Sequence, residues 1–210
     1  MYNLPYFKEK DPAVVLQFVK DHPFAFLCGC DAGNKPVATQ IPVFIDERDG
    51  KLFLSGHMMR NTDHHKAFLQ NNNVLVVFSG AHSYVSASWY QDKQQGGTWN
   101  YRSVHAKGTL VFGDEQALRD VLKRTTNHFE NNPHSGANFE NIPAGYVNRM
   151  INAIIAFEIE VQQLDHVFKL SQNRDEKSYD TIIDKLKQQG AGGKEIALLM
   201  ENGKSKVFPS

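Results

Sequence analysis

The segment V-L-V-V-F-S-G-A-H-S-Y-V-S-A-S-W-Y, from Val74 to Tyr90, indicates the fold class of this chain. Its first part, Val74 to Phe78, is a continuous apolar run rich in β-branched side chains, which is typical of a strand buried on both faces. The rest of the segment is rich in hydroxyl groups and aromatic rings. We therefore expect either a buried strand that leads into a polar lining or an edge strand with a solvated serine face.

Three more strands are predicted before this segment, with short polar turns between them. They cover residues 24–30, 37–45 and 51–55. Successive hairpins at this spacing are typical of an antiparallel sheet that closes into a barrel. Pro42 has no N–H group to donate, so it predicts an edge position or a bulge within the second of these strands.

After the segment, the pattern predicts strands at 98–112 and 154–161, with a bulge or bend at Gly108. Helical patterns start at Asp11, at Thr62 or Asp63, at Asp114 and at Ser178, and a short one covers Glu195 to Met200. We expect residues 131–145 to form a loop. The chain is therefore predicted to be a β-rich α+β protein, with a barrel domain over 1–170 and a C-terminal helical extension over 171–210 packed on the same domain.

Composition excludes some partners. The 210 residues include 23 Lys and Arg and 23 Asp and Glu, so no net charge draws the protein to nucleic acid or to an anionic membrane. Apolar runs stay well below the about 18 residues of a membrane span, and the N-terminus lacks a signal-peptide layout. We expect a cytoplasmic protein. Its cysteines, Cys28 and Cys30, are two residues apart and are expected to be buried reduced thiols.

The segment from Gly56 to Asn61 links a predicted strand to a predicted helix. Backbone N–H groups at a helix start, together with the Arg60 guanidinium, can bind a phosphate group. A surface loop with a solvated arginine is the alternative. His64 and His65 follow on the helix, but adjacent helical residues point about 100° apart, which does not favour a shared metal ion.

Two features near the C-terminus leave alternatives open. Phe168 to Asn173 places Lys, Ser, Gln and Asn after a core strand, where they could donate hydrogen bonds to a ligand. The two C-terminal helices invite comparison with a helix-turn-helix. The second of them, K-E-I-A-L-L-M-E-N-G-K, is mostly apolar, which favours packing over recognition of DNA bases.

Several motifs in order along nearly the whole chain resemble the PaiB family. They are M-Y-N-L-P-Y-F, P-V-A-T-Q-I-P, L-S-G-H-M-M-R-N, the segment ending in S-W-Y, T-W-N-Y-R-S-V-H-A-K-G and K-L-S-Q-N-R. Members of this family are flavin-binding negative transcriptional regulators of protease production and sporulation, related to pyridoxamine-phosphate-oxidase-like split barrels. Departures include Gln40 where the family would place His, Ala87 where it would place Pro, and the run from Arg60 to Thr62 in place of an Ala-Asn-Pro-like sequence.

The resemblance implies a homodimer of split β-barrels with one FMN in each cleft between subunits. On this basis His57, Arg60 and Asn61 contact the phosphate group. The backbone that meets the pyrimidine edge of the ring is that of Thr39, Gln40 and Ile41. An FMN site needs these partners and an aromatic or apolar wall.

The same resemblance implies that a second group of residues closes the site from the other subunit. This group is Trp99, Asn100, Lys169 and Gln172. A cation such as Lys169 near the ring would stabilise the anionic reduced flavin. Either Trp89 or Trp99 could face the flavin, and core packing is the alternative for both. Tyr84, Ser86 and Ser88 are further candidates for the lining.

Three classes of function remain open from the sequence. A flavin-dependent regulator or sensor follows from the family, although zero net charge gives weak support for direct DNA binding. A flavin-dependent oxidoreductase acting on a small molecule is the second class. A haem-binding split-barrel protein is the third, with His82 or His105 as an axial ligand.

Overall fold

The computed structural model describes residues 1–209. Within them, the strands are β1 (Phe24–Cys30), β2 (Pro36–Arg48), β3 (Lys51–Met59), β4 (Asn73–Val85), β5 (Thr98–Phe112) and β6 (Ile154–Lys169). The α-helices are α1 (Pro12–Asp21), α2 (Asp63–Gln70), α3 (Glu115–Glu130), α4 (Ala144–Ala153), α5 (Glu176–Leu186) and α6 (Ala191–Val207).

The chain forms two compact units that are discontinuous in sequence. Unit 1 combines residues 1–15, 79–104 and the described chain from Asp165 onward, and unit 2 combines 16–78 and 105–164. The helical extension predicted over 171–210 therefore shares unit 1 with earlier segments.

Unit 2 contains β1, β2 and β3, and the strand order β1-β2-β3-β6-β5-β4 closes a barrel. The β1–β2, β1–β4, β2–β3 and β3–β6 pairs are antiparallel, which confirms the predicted β-rich α+β fold. In β4 the apolar residues alternate between buried and half-buried from Val74 to Phe78, so the strand is fully buried on one face rather than on both. The barrel interior is filled by Leu27, Leu54, Val76 and Ile159.

Helix α3 packs beside α4 and β6 in unit 2. Leu118, Ile154 and Ala156 are the buried centre of this contact, with Met150 and Ile151 of α4 against them. The prediction did not include α4, whose sequence A-G-Y-V-N-R-M-I-N-A has little helix propensity of its own. Tertiary packing of its apolar side chains stabilises the helix instead.

Unit 1 is built around the pair of helices α5 and α6. Their buried side chains form a cluster with residues from the end of β4 and the segment after it, and the cluster consists of Val85, Tyr90, Tyr179, Ile182, Ile183, Leu186, Ile196, Ala197 and Met200. The apolar residues of α6 therefore serve packing, as its composition indicates. The N-cap of α5 is Asp175, which accepts a hydrogen bond from Ser178 N–H at 2.9 Å, so the prediction that Ser178 starts the helix is wrong by three residues.

Several strands and one helix are longer than predicted. β3 continues to Met59, β6 continues to Lys169, and α6 runs from Ala191 to Val207. In β6 the extra part begins with exposed polar residues, Gln162 and Gln163, which hide the strand pattern in the sequence. Cys28 and Cys30 are free thiols and half-buried rather than fully buried, and partial burial raises the pKa of Cys28. No helix within residues 1–209 is both long and apolar enough to cross a membrane.

The N-terminal segment of unit 1 is attached to β6 through His166. Glu9 N–H donates to His166 Nε2 at 2.8 Å, and Lys8 Nζ donates to the His166 carbonyl at 2.7 Å. Burial, and then the positive charge of Lys8, lower the pKa of His166 below its ordinary value of 6.5. The neutral ring, which can accept the Glu9 hydrogen bond, is therefore favoured by folding.

This attachment should weaken in acid. The folded-state pKa of His166 lies below the unfolded value. The stability that its hydrogen bond with Glu9 contributes is therefore complete above about pH 6.5 and is lost as pH falls through the folded pKa. We expect the protection factor of the Glu9 amide in hydrogen exchange to fall by up to about tenfold per pH unit below that pKa. His166→Gln keeps an acceptor that does not titrate, so a pH-dependent loss that persists in this variant would contradict the prediction.

Candidate functional site

β2 and β3 part from one another at one end of their ladder in unit 2. Their pairing runs from Arg48 opposite Lys51 to Val43 opposite Gly56 and stops before Pro42, which is paired with Phe24 of β1. This confirms the edge position predicted for Pro42. The two strands are in close contact just before they separate, because a Cβ on Gly56 would lie 2.9 Å from the Pro42 carbonyl oxygen.

The main chain of Gln40 faces the opening between β2 and β3. Val43 N–H donates to Pro23 O at 2.8 Å, on the side of β1. Since main-chain groups alternate sides along a strand, those of Thr39 and Ile41 also face β1, and those of Gln40 face the opposite edge. Of the three residues predicted to offer backbone groups, Gln40 is thus the one whose N–H and C=O face away from β1 and toward the opening.

His57 lies on β3 at the same opening. It is opposite Ala156 of β6 and is half-buried. Its Nδ1 atom is buried and makes no hydrogen bond within residues 1–209. Burial lowers the pKa of His57, so the ring is neutral at physiological pH. A buried ring nitrogen without a protein partner is available to a bound ligand.

Arg60 is held in place by β6 and its neighbour α4. Its backbone N–H donates to Ala153 O at 2.8 Å and its Nε donates to Ile154 O at 2.9 Å. These are the hydrogen bonds of Arg60 among the described residues, so Nη1 and Nη2 remain available. An arginine anchored through Nε presents its two terminal nitrogens in a fixed orientation, which suits an anion such as phosphate.

The N–H groups at the start of α2 are less available to an anion than the sequence predicts. Thr62 caps this helix as expected, and its side chain accepts from His65 N–H at 3.3 Å. Asp63 accepts from His64 N–H at 2.7 Å, and Asn61 N–H donates to His65 Nδ1 at 3.2 Å. Because these N–H groups already have partners, anion binding here depends on the side chains of Arg60 and Asn61 rather than on the helix N-terminus.

In unit 1, the two tryptophans have different environments. Trp89 is partly buried and packs against the cluster of α5 and α6. Trp99 on β5 is 52% exposed, and its ring centroid lies 5.8 Å from that of His82 and 5.9 Å from that of Tyr84. Trp99 is therefore the one of the two that presents an aromatic surface.

Asn100 and Gln172 are occupied by contacts within unit 1. Asn100 is 0% exposed, and its side chain accepts from Ser171 Oγ at 3.0 Å and donates to Met200 Sδ at 3.4 Å. Gln172 accepts from Leu170 N–H at 2.7 Å and donates to the carbonyl of Phe168. These bonds hold the turn that follows β6, where Ser171 has a left-handed backbone (φ 63°). The polar run after β6 thus has a structural role in addition to any ligand contact.

Lys169, at the end of β6, has one side-chain partner and two aromatic neighbours. Its Nζ donates to Thr98 Oγ1, and it lies 5.7 Å from the ring centroid of Tyr2 and 5.8 Å from that of Phe7. Burial, and then the charge of Arg174, lower the pKa of Lys169. Its ammonium group therefore sits in an environment that already disfavours positive charge.

The remaining candidate residues lie on different elements of the structure. His82 is exposed on β4, His105 is half-buried on β5, and the Ser86 and Ser88 hydroxyls hydrogen-bond one another at 2.8 Å. His64 interacts with Thr62 and Asp63. Within the described part of the chain, no three His, Cys, Asp or Glu side chains are close enough together to hold a metal ion.

The closed antiparallel barrel is the fold expected of a split-barrel flavin-binding protein. Residues 1–163 match the family described as "Putative FMN-binding domain", and the chain belongs to this family. Its cofactor is FMN. The resemblance to PaiB proteins that the sequence motifs indicate is thereby confirmed.

One relative supports the family assignment, and two solved structures support the fold. The chain is 29% identical to the Protease synthase and sporulation protein PAI 2 of Bacillus subtilis (strain 168) over 203 residues, covering 96% of this chain and 97% of that protein. The flavocytochrome Anf3 of Azotobacter vinelandii has the same fold at 16% identity and a TM-score of 0.56, covering 86% of this chain and 78% of that one. The FAD and haem binding protein of Mycobacterium smegmatis does so at 16% identity and a TM-score of 0.54, covering 77% and 72%.

The residues of unit 2 fit the chemical groups of FMN. The free nitrogens of Arg60 suit its phosphate, the open main chain of Gln40 suits a hydrogen-bonding ring edge, and His57 Nδ1 is an orphaned buried atom in need of a partner. When bound, the flavin supplies reversible one- and two-electron redox chemistry. In such a site Arg60, His57 and the main chain of Gln40 would hold and orient the cofactor.

Proposed function

We propose that this protein is a flavin-dependent regulatory or sensor protein. The observation that carries the proposal is end-to-end similarity to PAI 2, whose name links it to protease synthesis and sporulation. The similarity covers α5 and α6 as well as the barrel, since it extends over 96% of this chain. A flavin whose redox state or occupancy changes in the cell would supply the signal.

In this proposal FMN occupies the opening between β2 and β3. Arg60 binds the phosphate with Nη1 and Nη2, because its Nε is already fixed to Ile154. The Asn61 side chain, exposed beside it, adds a donor. The main chain of Gln40 pairs with the pyrimidine edge of the ring, and His57 Nδ1 gains the hydrogen bond that it lacks.

A second copy of the chain completes the site in this proposal. Phe24, 62% exposed, and Phe26 lie on β1 of unit 2, while Trp99 and Tyr84 are exposed neighbours in unit 1. Large exposed aromatic side chains such as these mark interaction surfaces in soluble proteins. A two-fold dimer would bury both surfaces and would place Trp99 of one copy against the flavin of the other.

The proposal does not assign DNA-base recognition to α6. Lys204 on this helix pairs with Glu176 and Asp180, and Lys187 before it pairs with Glu201. A net charge of zero also gives little attraction to phosphate groups of DNA. Regulation would therefore pass through the flavin and the dimer, with any contact to DNA made elsewhere or through a partner.

Complementation tests the regulatory function. The protein, as wild type or Arg60→Ala, is expressed in a B. subtilis strain that lacks PAI 2, and secreted protease activity is measured. We expect the wild type to change protease activity relative to an empty vector and the variant to change it less. An unchanged level with well-expressed, FMN-loaded wild type would refute a PAI 2-like role. Multiple turnovers with NADH or NADPH and an acceptor would instead favour the oxidoreductase class, and a Soret band in the purified protein would favour haem binding.

Dilution tests the shared site. If FMN is held between two copies, diluting the holo-protein until the dimer separates should release flavin, which is detected by recovery of free-flavin fluorescence. The fraction of flavin released should follow the fraction of monomer measured by analytical ultracentrifugation. A monomer that retains FMN at the affinity of the dimer would contradict the shared site.

A further inference from the structure

Unit 1 contains a cavity that the flavin assignment to unit 2 does not use. Its volume is about 190 Å³, and one wall is the N-terminal segment with Tyr2, Tyr6 and Phe7. Lys169 at the end of β6 and Arg174 in the turn before α5 also line it. The lining therefore combines aromatic rings with two cations.

The positive charges of the lining are not balanced by an acidic side chain among its described residues. Among the described residues that line the cavity there is no Asp or Glu, whereas Lys169 and Arg174 both line it. The nearby carboxylate of Asp175 is engaged by Ser178 N–H and Oγ at the start of α5. Two cations of like charge in one small lining repel one another, and a bound anion would remove that repulsion.

One hydrogen-bond donor of Arg174 has no partner within residues 1–209. Its guanidinium group lies 3.9 Å from the Tyr90 ring centroid, and its Nη1 donates to Gln95 Oε1. Its Nε atom is buried and makes no hydrogen bond within residues 1–209. Stacking on Tyr90 fixes the plane of the guanidinium, so its free donors are pre-oriented for an acceptor. A carboxylate is the acceptor that such a donor set binds best.

The size of the cavity limits the ligand. A cavity of about 150 Å³ is large enough to bind benzene, whereas pockets for drug-sized molecules measure about 300–1,000 Å³. A volume of about 190 Å³ thus admits one aromatic ring with a small substituent. The rings of Tyr6 and Phe7, 4.4 Å apart in an edge-to-face arrangement, provide the apolar surface for it.

We propose that this cavity binds a small aromatic carboxylate, with its carboxylate on Lys169 and Arg174 and its ring against Tyr6 and Phe7. The lining of the cavity includes none of the unit 2 residues assigned to the flavin, and its occupancy does not require the regulatory function proposed above. Because the N-terminal segment forms one wall, a bound ligand would hold this segment on unit 1. The ligand would then act as an effector of the flavoprotein.

Calorimetric titration of the FMN-loaded protein with benzoate tests the proposal. We expect one benzoate per chain and at least about tenfold weaker binding of benzamide, which has the same ring without the charge. Asn173→Asp places a carboxylate in the lining without removing a cation and should weaken benzoate binding about tenfold or more. Asn202→Asp, an exposed residue of α6 outside the lining, is its matched control and should bind as the wild type does.

A second pair of variants tests the cation directly. Lys169→Met should weaken benzoate binding about tenfold, and Lys194→Met, an exposed lysine of α6, should not. No binding by the wild type up to millimolar benzoate would overturn the proposal. Displacement of benzoate by FMN from the apo-protein would assign the cavity to the flavin instead. Inorganic phosphate binding as tightly as benzoate would overturn the requirement for an aromatic ring.

Discussion

We expect Arg60→Ala to weaken FMN binding about 10- to 100-fold while leaving riboflavin affinity nearly unchanged. Hydrogen bonds to a charged group contribute about 1.5–3 kcal/mol, and each 1.4 kcal/mol corresponds to about tenfold in affinity. Riboflavin has the ring and the ribityl chain of FMN but no phosphate. The substitution should therefore reduce the difference in affinity between FMN and riboflavin. Fluorescence titration of the apo-protein measures both affinities.

Two controls separate phosphate binding from a general effect on the fold. Arg149→Ala removes an arginine from the exposed side of α4 in the same unit, and it should leave both affinities unchanged. Arg60→Lys keeps the charge but loses the Nε bond to Ile154 and the paired terminal nitrogens, so its FMN affinity should be intermediate. If wild-type protein bound FMN and riboflavin equally well, Arg60 would not be the phosphate ligand.

The position of Arg60 could be predicted because its signal is local. A glycine, an arginine and a helix cap within seven residues indicate a strand-to-helix junction whatever the rest of the chain does. The orientation of Arg60 could not be predicted, because it depends on Ala153 and Ile154, more than ninety residues later in the chain. The sequence also could not show that the N–H groups at the start of α2 already have partners, because Thr62, Asp63 and His65 can each either cap the helix or face solvent.

Other site residues show where sequence patterns are ambiguous. Asn100 and Gln172 are polar side chains next to aromatic and cationic neighbours, a composition that suits a ligand pocket and an internal hydrogen-bond network equally well. The partners of Asn100 are Ser171 and Met200, from parts of the chain that local patterns cannot bring together. By contrast, the open edge of β2 was predictable from Pro42, because a missing N–H group is a property of one residue.

The barrel itself was predictable from hairpin spacing. The pairs of distant strands within it, such as β3 with β6, were not predictable from local patterns. Gly108, where the sequence predicts a bulge or bend, lies within β5, which runs from Thr98 to Phe112. A Cβ built on Gly108 would lie 2.1 Å from the Glu160 carbonyl oxygen and 2.8 Å from Ile159 Cγ2. Glycine is therefore required here because the backbone of β6 approaches closely.

Gly108→Ala should consequently be among the most destabilising single-methyl additions in unit 2. The atom in the way is a backbone oxygen, which cannot rotate aside as a side chain would, so β5 and β6 must separate or distort. We expect the free energy of unfolding to fall by about 2–4 kcal/mol and the melting temperature to fall by roughly 5–15 °C, measured by urea and thermal denaturation.

The matched control for this change is Gly136→Ala in the same unit, where an added Cβ meets nothing within 4 Å. This variant should unfold within about 0.5 kcal/mol of the wild type. Because β5 and β6 are neighbours in the closed barrel, Gly108→Ala should also reduce the yield of FMN-loaded protein, whereas Gly136→Ala should not. Equal stability of the two variants would mean that β6 can shift away from Gly108 at little cost, and that barrel closure tolerates a looser β5–β6 pairing than the described distances imply.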